Sequence, residues 1–142
     1  MNSLRKSIEN NIQWCINEYL KEDNNKEIYA FCLYYSTDHN DPIFEFLIAD
    51  SIKEERSYFP YNFSYGAELD SEELQEEYSK FYEAKENDID IERQRIDFNR
   101  MLIDALRNVD YSKLKLHKDF LLWANDHDDS FHYPSDTHKL KR

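Results

Sequence analysis

Glycine is almost missing from this chain: Gly66 is the single one in 142 residues, against an ordinary usage of about 7%. That scarcity excludes every motif in which several glycines bring backbone close to a phosphate, so P-loops, dinucleotide fingerprints and nucleophile elbows are out. Cysteine is limited to Cys15 and Cys32. Both stand in apolar runs where a thiol serves as a small hydrophobe, their spacing carries no metal signature, and a reducing, cytoplasmic setting is expected. Positive charge is also short: 18 Lys and Arg face 30 Asp and Glu, a net charge of −12. Such a balance repels phosphate backbones and anionic lipid head groups, which predicts no nucleic-acid partner and no membrane partner. No apolar run approaches the roughly 18 residues of a membrane span. The opening Met1 to Lys6 leads into Glu9, Asn10 and Asn11 rather than into the apolar core of an export signal, so a soluble protein is expected.

What is present is enough for a core. Apolar residues make up 40% of the chain and aromatic residues 15%, and the length fits one domain. We expect a single α+β domain over residues 1–129 and a polar C-terminal tail over 130–142, which contains Pro134 and ends on Lys141 and Arg142.

Leu4, Ile8, Ile12, Cys15, Ile16, Tyr19 and Leu20 recur at three and four, which predicts a helix over 3–20. The run Ile28 to Tyr35 reads as a strand buried on both faces. After the turn residues Asp38 to Pro42, the segment Ile43 to Ala49 reads as its antiparallel partner. In Tyr58 to Tyr65, period two would put Phe59, Tyr61, Phe63 and Tyr65 on one side of a third strand, with Pro60 assigning it to an edge or a strand start. Asp70, three residues before Glu73, resembles a capping box ahead of Leu74, Tyr78, Phe81 and Tyr82, so a second helix is expected to about Glu86. Phe98, Met101, Leu102, Ala105, Leu106 and Val109 predict a third helix, and Phe120 to Ala124 a last strand. The expected architecture is a small antiparallel sheet of about four strands packed with three helices.

Charge is the strongest local signal. Residues 68–92 carry nine of the twelve excess negative charges. A solvated helix face would account for them, and so would a surface that docks a basic protein. Next to them lies an aromatic segment, and an acidic rim beside an aromatic centre is the anatomy of a surface that recognises a cationic protein. The candidate partner-binding residues are therefore Glu68, Asp70, Glu72, Glu73, Glu76 and Glu77 with Tyr58, Tyr61 and Tyr65. Asn125 to Asp129 with His132 mix imidazole and carboxylate, but the spacing matches no closed zinc site and an exposed polar loop is expected. Asp38, His39 and Asp41 are explained by turn chemistry. Cys15 and Cys32 fall on apolar faces and none of the five histidines falls in a strong secondary-structure element, so no catalytic residue, cofactor or metal is expected and the chain is read as a binding protein rather than an enzyme.

The opening helix, the run Ile28 to Tyr35, the segment Tyr61-Asn62-Phe63-Ser64-Tyr65 and the late helix from Phe98 to Leu106 resemble a family of small acidic bacterial domains of unknown function, over about residues 1–125. Some of those domains are associated with polymorphic or contact-dependent toxin systems, in which they serve as immunity proteins. The resemblance implies an immunity protein that neutralises a basic toxin domain such as a nuclease, and it brings no catalytic residues with it. Alternatives are an acidic nucleic-acid mimic or regulatory adaptor, and a small hydrolase with a cation held by Asp126, His127 and Asp128.

Overall fold

The computed structural model describes residues 2–22, 26–36, 43–52, 61–85 and 90–126. Helix α1 (Asn2–Lys21) buries Leu4, Ile8, Ile12, Cys15, Ile16 and Tyr19, the stripe that its periodicity predicts. Strands β1 (Glu27–Ser36) and β2 (Ile43–Ile52) pair antiparallel, with Phe31 opposite Ile48 and Leu33 opposite Phe46. Strand β3 (Tyr61–Glu68) pairs antiparallel with the outer side of β2. Two helices follow, α2 (Glu72–Lys85) and α3 (Ile91–Asn108), and then β4 (Lys115–Asp126). The sheet order is β3-β2-β1-β4. The fold is α+β, with a four-stranded sheet packed with three helices.

The sheet is mixed rather than wholly antiparallel, because β4 runs parallel to β1. A parallel neighbour needs a crossover of a dozen or more residues. The α2–α3 pair supplies it, carrying the chain from one edge of the sheet to the other. A five-residue apolar run such as Phe120 to Ala124 encodes burial and not direction.

Alternation sorts the sheet into two faces. Phe31, Leu33, Phe44, Phe46, Ile48, Phe120 and Leu122 join the helices in the main core. Phe31 lies at its centre, stacked at 4.7 Å on Tyr111 and 5.6 Å on Phe46, with Phe120 edge-on at 6.2 Å. The opposite face has a second, smaller cluster of Ala30, Cys32, Ala49, Leu121 and Trp123. The small side chains on the two central strands leave room above them. Phe63 and Trp123, from opposite edge strands, lean inward until their rings are 5.7 Å apart. This second cluster is why Ala30 to Leu33 are buried on both faces, as the apolar run predicts.

In β3 the period-two expectation fails at Ser64. Tyr65 stands opposite Ile48 and Phe63 opposite Ala49, so β2 advances one residue while β3 advances two. The bulge puts Tyr65 on the main core and Phe63 on the second cluster, on opposite faces rather than one. The displaced Ser64 hydroxyl donates to the carboxylate of buried Asp50, which also accepts from the Tyr19 hydroxyl at 2.8 Å.

The start of α2 also differs from expectation. Ser71, not Asp70, caps it: the Ser71 Oγ accepts from the Leu74 amide at 3.2 Å and from Asn11 of α1 at 2.9 Å. Ser71→Ala should cost about 1 kcal/mol from the lost cap, with a further loss at Asn11, while Asp70→Ala should stay within about 0.5 kcal/mol of wild type. Urea denaturation midpoints check the contrast. Helix α3 starts at Ile91, earlier than its apolar stripe announces, because the Asp90 carboxylate accepts from the Arg93 amide at 3.1 Å.

Candidate functional site

Of the residues singled out from sequence, Tyr58 lies outside the described residues, and Tyr61 is placed as the first residue of β3. Tyr65 is half-buried and packs edge-on against Tyr19 with ring centroids 5.2 Å apart. Glu68 is exposed at the end of β3, directly opposite Glu45. Asp70 is exposed just before α2. Glu72 and Glu73 occupy the first turn of α2, where carboxylates complement the positive end of the helix dipole. Glu76 is exposed one turn further on, and Glu77 is half-buried and paired with Lys80 at 3.4 Å. Glu72, Glu73 and Glu76 thus share the solvent side of α2, and Glu77 turns partly away from it.

A residue the sequence reading passed over stands beside this surface. Trp14 is 60% exposed, the most exposed large apolar side chain among the described residues. It lies off the buried stripe of α1, between Asn10 and Asn17 on the outward side. On a helix, positions three and four away are surface neighbours, so Trp14 adjoins Asn11 and Glu18. Asn11 is tied to Ser71, so the neighbour of Trp14 on α1 touches the start of α2. The signal was available: an indole amid polar neighbours cannot share the face defined by Leu4, Ile8, Ile12 and Cys15.

The field of this surface is negative, and the groups beneath it register that. Burial pushes the Cys15 thiol up to about 11, assisted by the charges of Asp70 and Glu18. Tyr19 is raised by burial, then by its hydrogen bond to Asp50 and the charges of Asp50 and Glu22. Tyr65 is raised by burial and then by the Cys15 thiolate, Glu22 and Glu18. Carboxylates from α1, from β2 and from the β3–α2 junction therefore act on the same few buried groups. Cys32, fully enclosed, is raised by burial and then by Glu45, and Tyr111 by burial alone. Both cysteines are free thiols.

All five groups hold their protons more tightly when folded than when unfolded. The stability they contribute is fully present below the unfolded values of 9.0 for a thiol and 10.0 for a phenol, and is lost as pH rises toward the folded ones. Melting temperature should fall steadily above about pH 9, and neither thiol should react with a disulfide reagent near neutral pH until the protein unfolds. A melting temperature that held steady well above that pH would place these groups in solvent.

The chain matches no family model, no curated protein and no solved structure. What the surface does has to follow from its own geometry.

The polar cluster Asn125 to Asp129 with His132 is described only at its first two residues, and these are buried at the end of β4 rather than in the expected exposed loop. The side chain of Asn125 donates to the Asp126 carbonyl at 3.1 Å, and the Asp126 carboxylate is paired with Arg95 at 3.3 Å. His127, Asp128, Asp129 and His132 lie outside the described residues, as do Asp38, His39 and Asp41. Among the described residues no three His, Cys, Asp or Glu side chains converge on a metal-ligating group, and no helix is long and apolar enough to cross a membrane.

Proposed function

We propose that this domain binds a basic protein, in the role of an immunity protein that neutralises a toxin domain such as a nuclease. One observation carries the reading: an indole 60% exposed to solvent stands one helical turn from Glu18, on the helix whose Asn11 side chain bonds Ser71 at the start of acidic α2. An exposed indole suits the centre of an interface, because tryptophan is among the commonest side chains there that lose the most affinity when truncated. The carboxylates of Asp70, Glu72, Glu73 and Glu76 provide the charged margin that draws a cationic partner in. Neutralisation then needs no chemistry from this chain; it occludes the partner's working surface.

The test begins with immobilised protein and lysate of its own host, washed at low and at high salt, with Trp14→Ala as control. The expected result is a basic protein held at low salt, released at high salt and poorly held by the variant, whose growth-arresting activity vanishes when this chain is co-expressed. Retained proteins that are acidic, or that show no toxicity this chain relieves, would sink the proposal.

A further inference from the structure

The two edges of the sheet are unlike. Strand β4 is buried from Phe120 through Asp126 although it is an edge strand. Helix α3 covers it, and the Asn99 side chain donates to the Ala124 carbonyl at 3.1 Å. Among the described residues, strand β3 has no such cover: from Asn62 to Glu68 every residue is half-buried or exposed, and no described strand lies on its outer side.

The register shows which backbone groups face out. The Leu69 amide donates to the Phe44 carbonyl at 2.8 Å. Backbone bonding alternates along an antiparallel pair, so Ala67 opposite Phe46 and Tyr65 opposite Ile48 also turn their groups toward β2. Gly66 and Glu68 then direct their N–H and C=O groups away from the sheet. An edge left with open donors and acceptors is a template for another strand, and proteins ordinarily blunt it with lysine, proline or a covering segment. Among the described residues, β3 carries no lysine, proline or cover, and its bulge at Ser64 ends before the regular stretch from Tyr65 to Glu68.

Its side chains state what kind of strand would fit. Glu45 and Glu68 face each other in a non-hydrogen-bonded pair, the closer of the two pair types, where like charges destabilise. Neither forms an ion pair among the described residues. The Glu45 carboxylate lies over Gly66, where a Cβ would come within 2.8 Å of its Oε1. On the other face, the carboxylates of Glu18 and Glu22 lie close enough to Tyr65 to raise its hydroxyl. Negative charge therefore flanks the open edge on both faces of the sheet.

We infer that the outer edge of β3 accepts an extended, lysine- or arginine-rich segment of the partner as a fifth strand, bonded through Gly66 and Glu68 with cationic side chains against Glu45 and Glu68. This rests on the proposed function in that the partner is the basic protein; the edge adds how that protein is held. A second copy of this chain is the poorer occupant, because pairing two β3 edges would bring four of these carboxylates together.

The probe is a synthetic eight-residue peptide alternating lysine with valine or threonine, in a plain form, a form N-methylated at every second residue, and a form with glutamate for lysine. Amide exchange at Gly66 and Glu68 is followed by NMR at saturating peptide. The plain peptide should slow both amides by about tenfold or more, the N-methylated form should bind at least about tenfold more weakly, and the glutamate form should not bind. Equal binding of the plain and N-methylated peptides, or unchanged exchange at both amides, would overturn the inference. So would a concentration-dependent dimer that protects the same amides without peptide. In the protein itself, Gly66→Pro removes the outward donor at an edge position, where proline breaks no ladder bond to β2, and its melting temperature checks the fold. If the host protein retained above binds this variant and wild type alike, the edge is not the docking site and the binding function stands; if it is lost with the fold intact, the edge is.

Discussion

Replacing Phe31 by alanine should remove about 3–5 kcal/mol of stability, a large share of what a domain of this size possesses. The ring is fully buried and contacts aromatic partners from β2, from the middle of β4 and from the α3–β4 connection. Tyr111, stacked on it at 4.7 Å, is fixed by a hydroxyl bond to the Leu106 carbonyl at the end of α3. The Tyr111 ring therefore cannot swing into the space that the deletion leaves, and the cavity term adds to the lost transfer energy. Cys32→Ala, which removes one atom beneath the Phe63–Trp123 pair, should cost far less. Urea denaturation of the two variants measures the ratio. A Phe31→Ala loss below about 1.5 kcal/mol would mean that the site collapses, and that Phe31 is not the point at which sheet and helices are joined.

The same residues show why some of the fold was legible and some was not. Helix α1 was readable because a stripe repeating at three and four has one physical solution, and β1 because eight consecutive apolar residues must be covered on both sides. Strand β3 was readable as a strand but not in its facing: an extra residue, Ser64, puts Phe63 and Tyr65 on opposite faces, and it is bonded to the buried carboxylate of Asp50, where β2 carries a register shift of its own. Nothing local to Tyr61-Asn62-Phe63-Ser64-Tyr65 announces that partner. The cap at Ser71 was hidden for a similar reason, since its competitor Asp70 satisfies the same local rule and the choice is made by Asn11, sixty residues earlier in the chain. The direction of β4 is set by the α2–α3 crossover and by nothing within the strand. For the candidate site, the acidic run was legible and its geometry was not: helical phase on α2 separates Glu72, Glu73 and Glu76 from Glu77, and on α1 it turns Trp14, overlooked among polar residues, to the outward side.

Reversing Glu72, Glu73 and Glu76 to lysine should slow association with the partner by about tenfold or more at low ionic strength and weaken binding by about 2–4 kcal/mol. The three carboxylates are exposed on one side of α2 and add to the field of Asp70, Glu18 and Glu22. A cationic protein approaching that surface meets attraction over about 8 Å at physiological salt, and after reversal it meets repulsion over the same range. Folding should survive, because α2 is held by buried Leu74 and Tyr78, and the main penalty is the loss of two carboxylates from the positive end of the helix, about 1 kcal/mol in all. Trp14→Ala should behave differently. It removes contact area but no charge, so association should hardly change and dissociation should quicken, with a loss of about 2 kcal/mol or more if the indole is a central anchor. Stopped-flow association at several salt concentrations, with melting temperatures recorded for each variant, separates the two roles: steering belongs to the on-rate and to salt, anchoring to the off-rate. An unchanged on-rate in the triple reversal, with the fold intact, would reduce the acidic run to a solvated face. Unchanged dissociation in Trp14→Ala would move the docking surface away from α1 altogether.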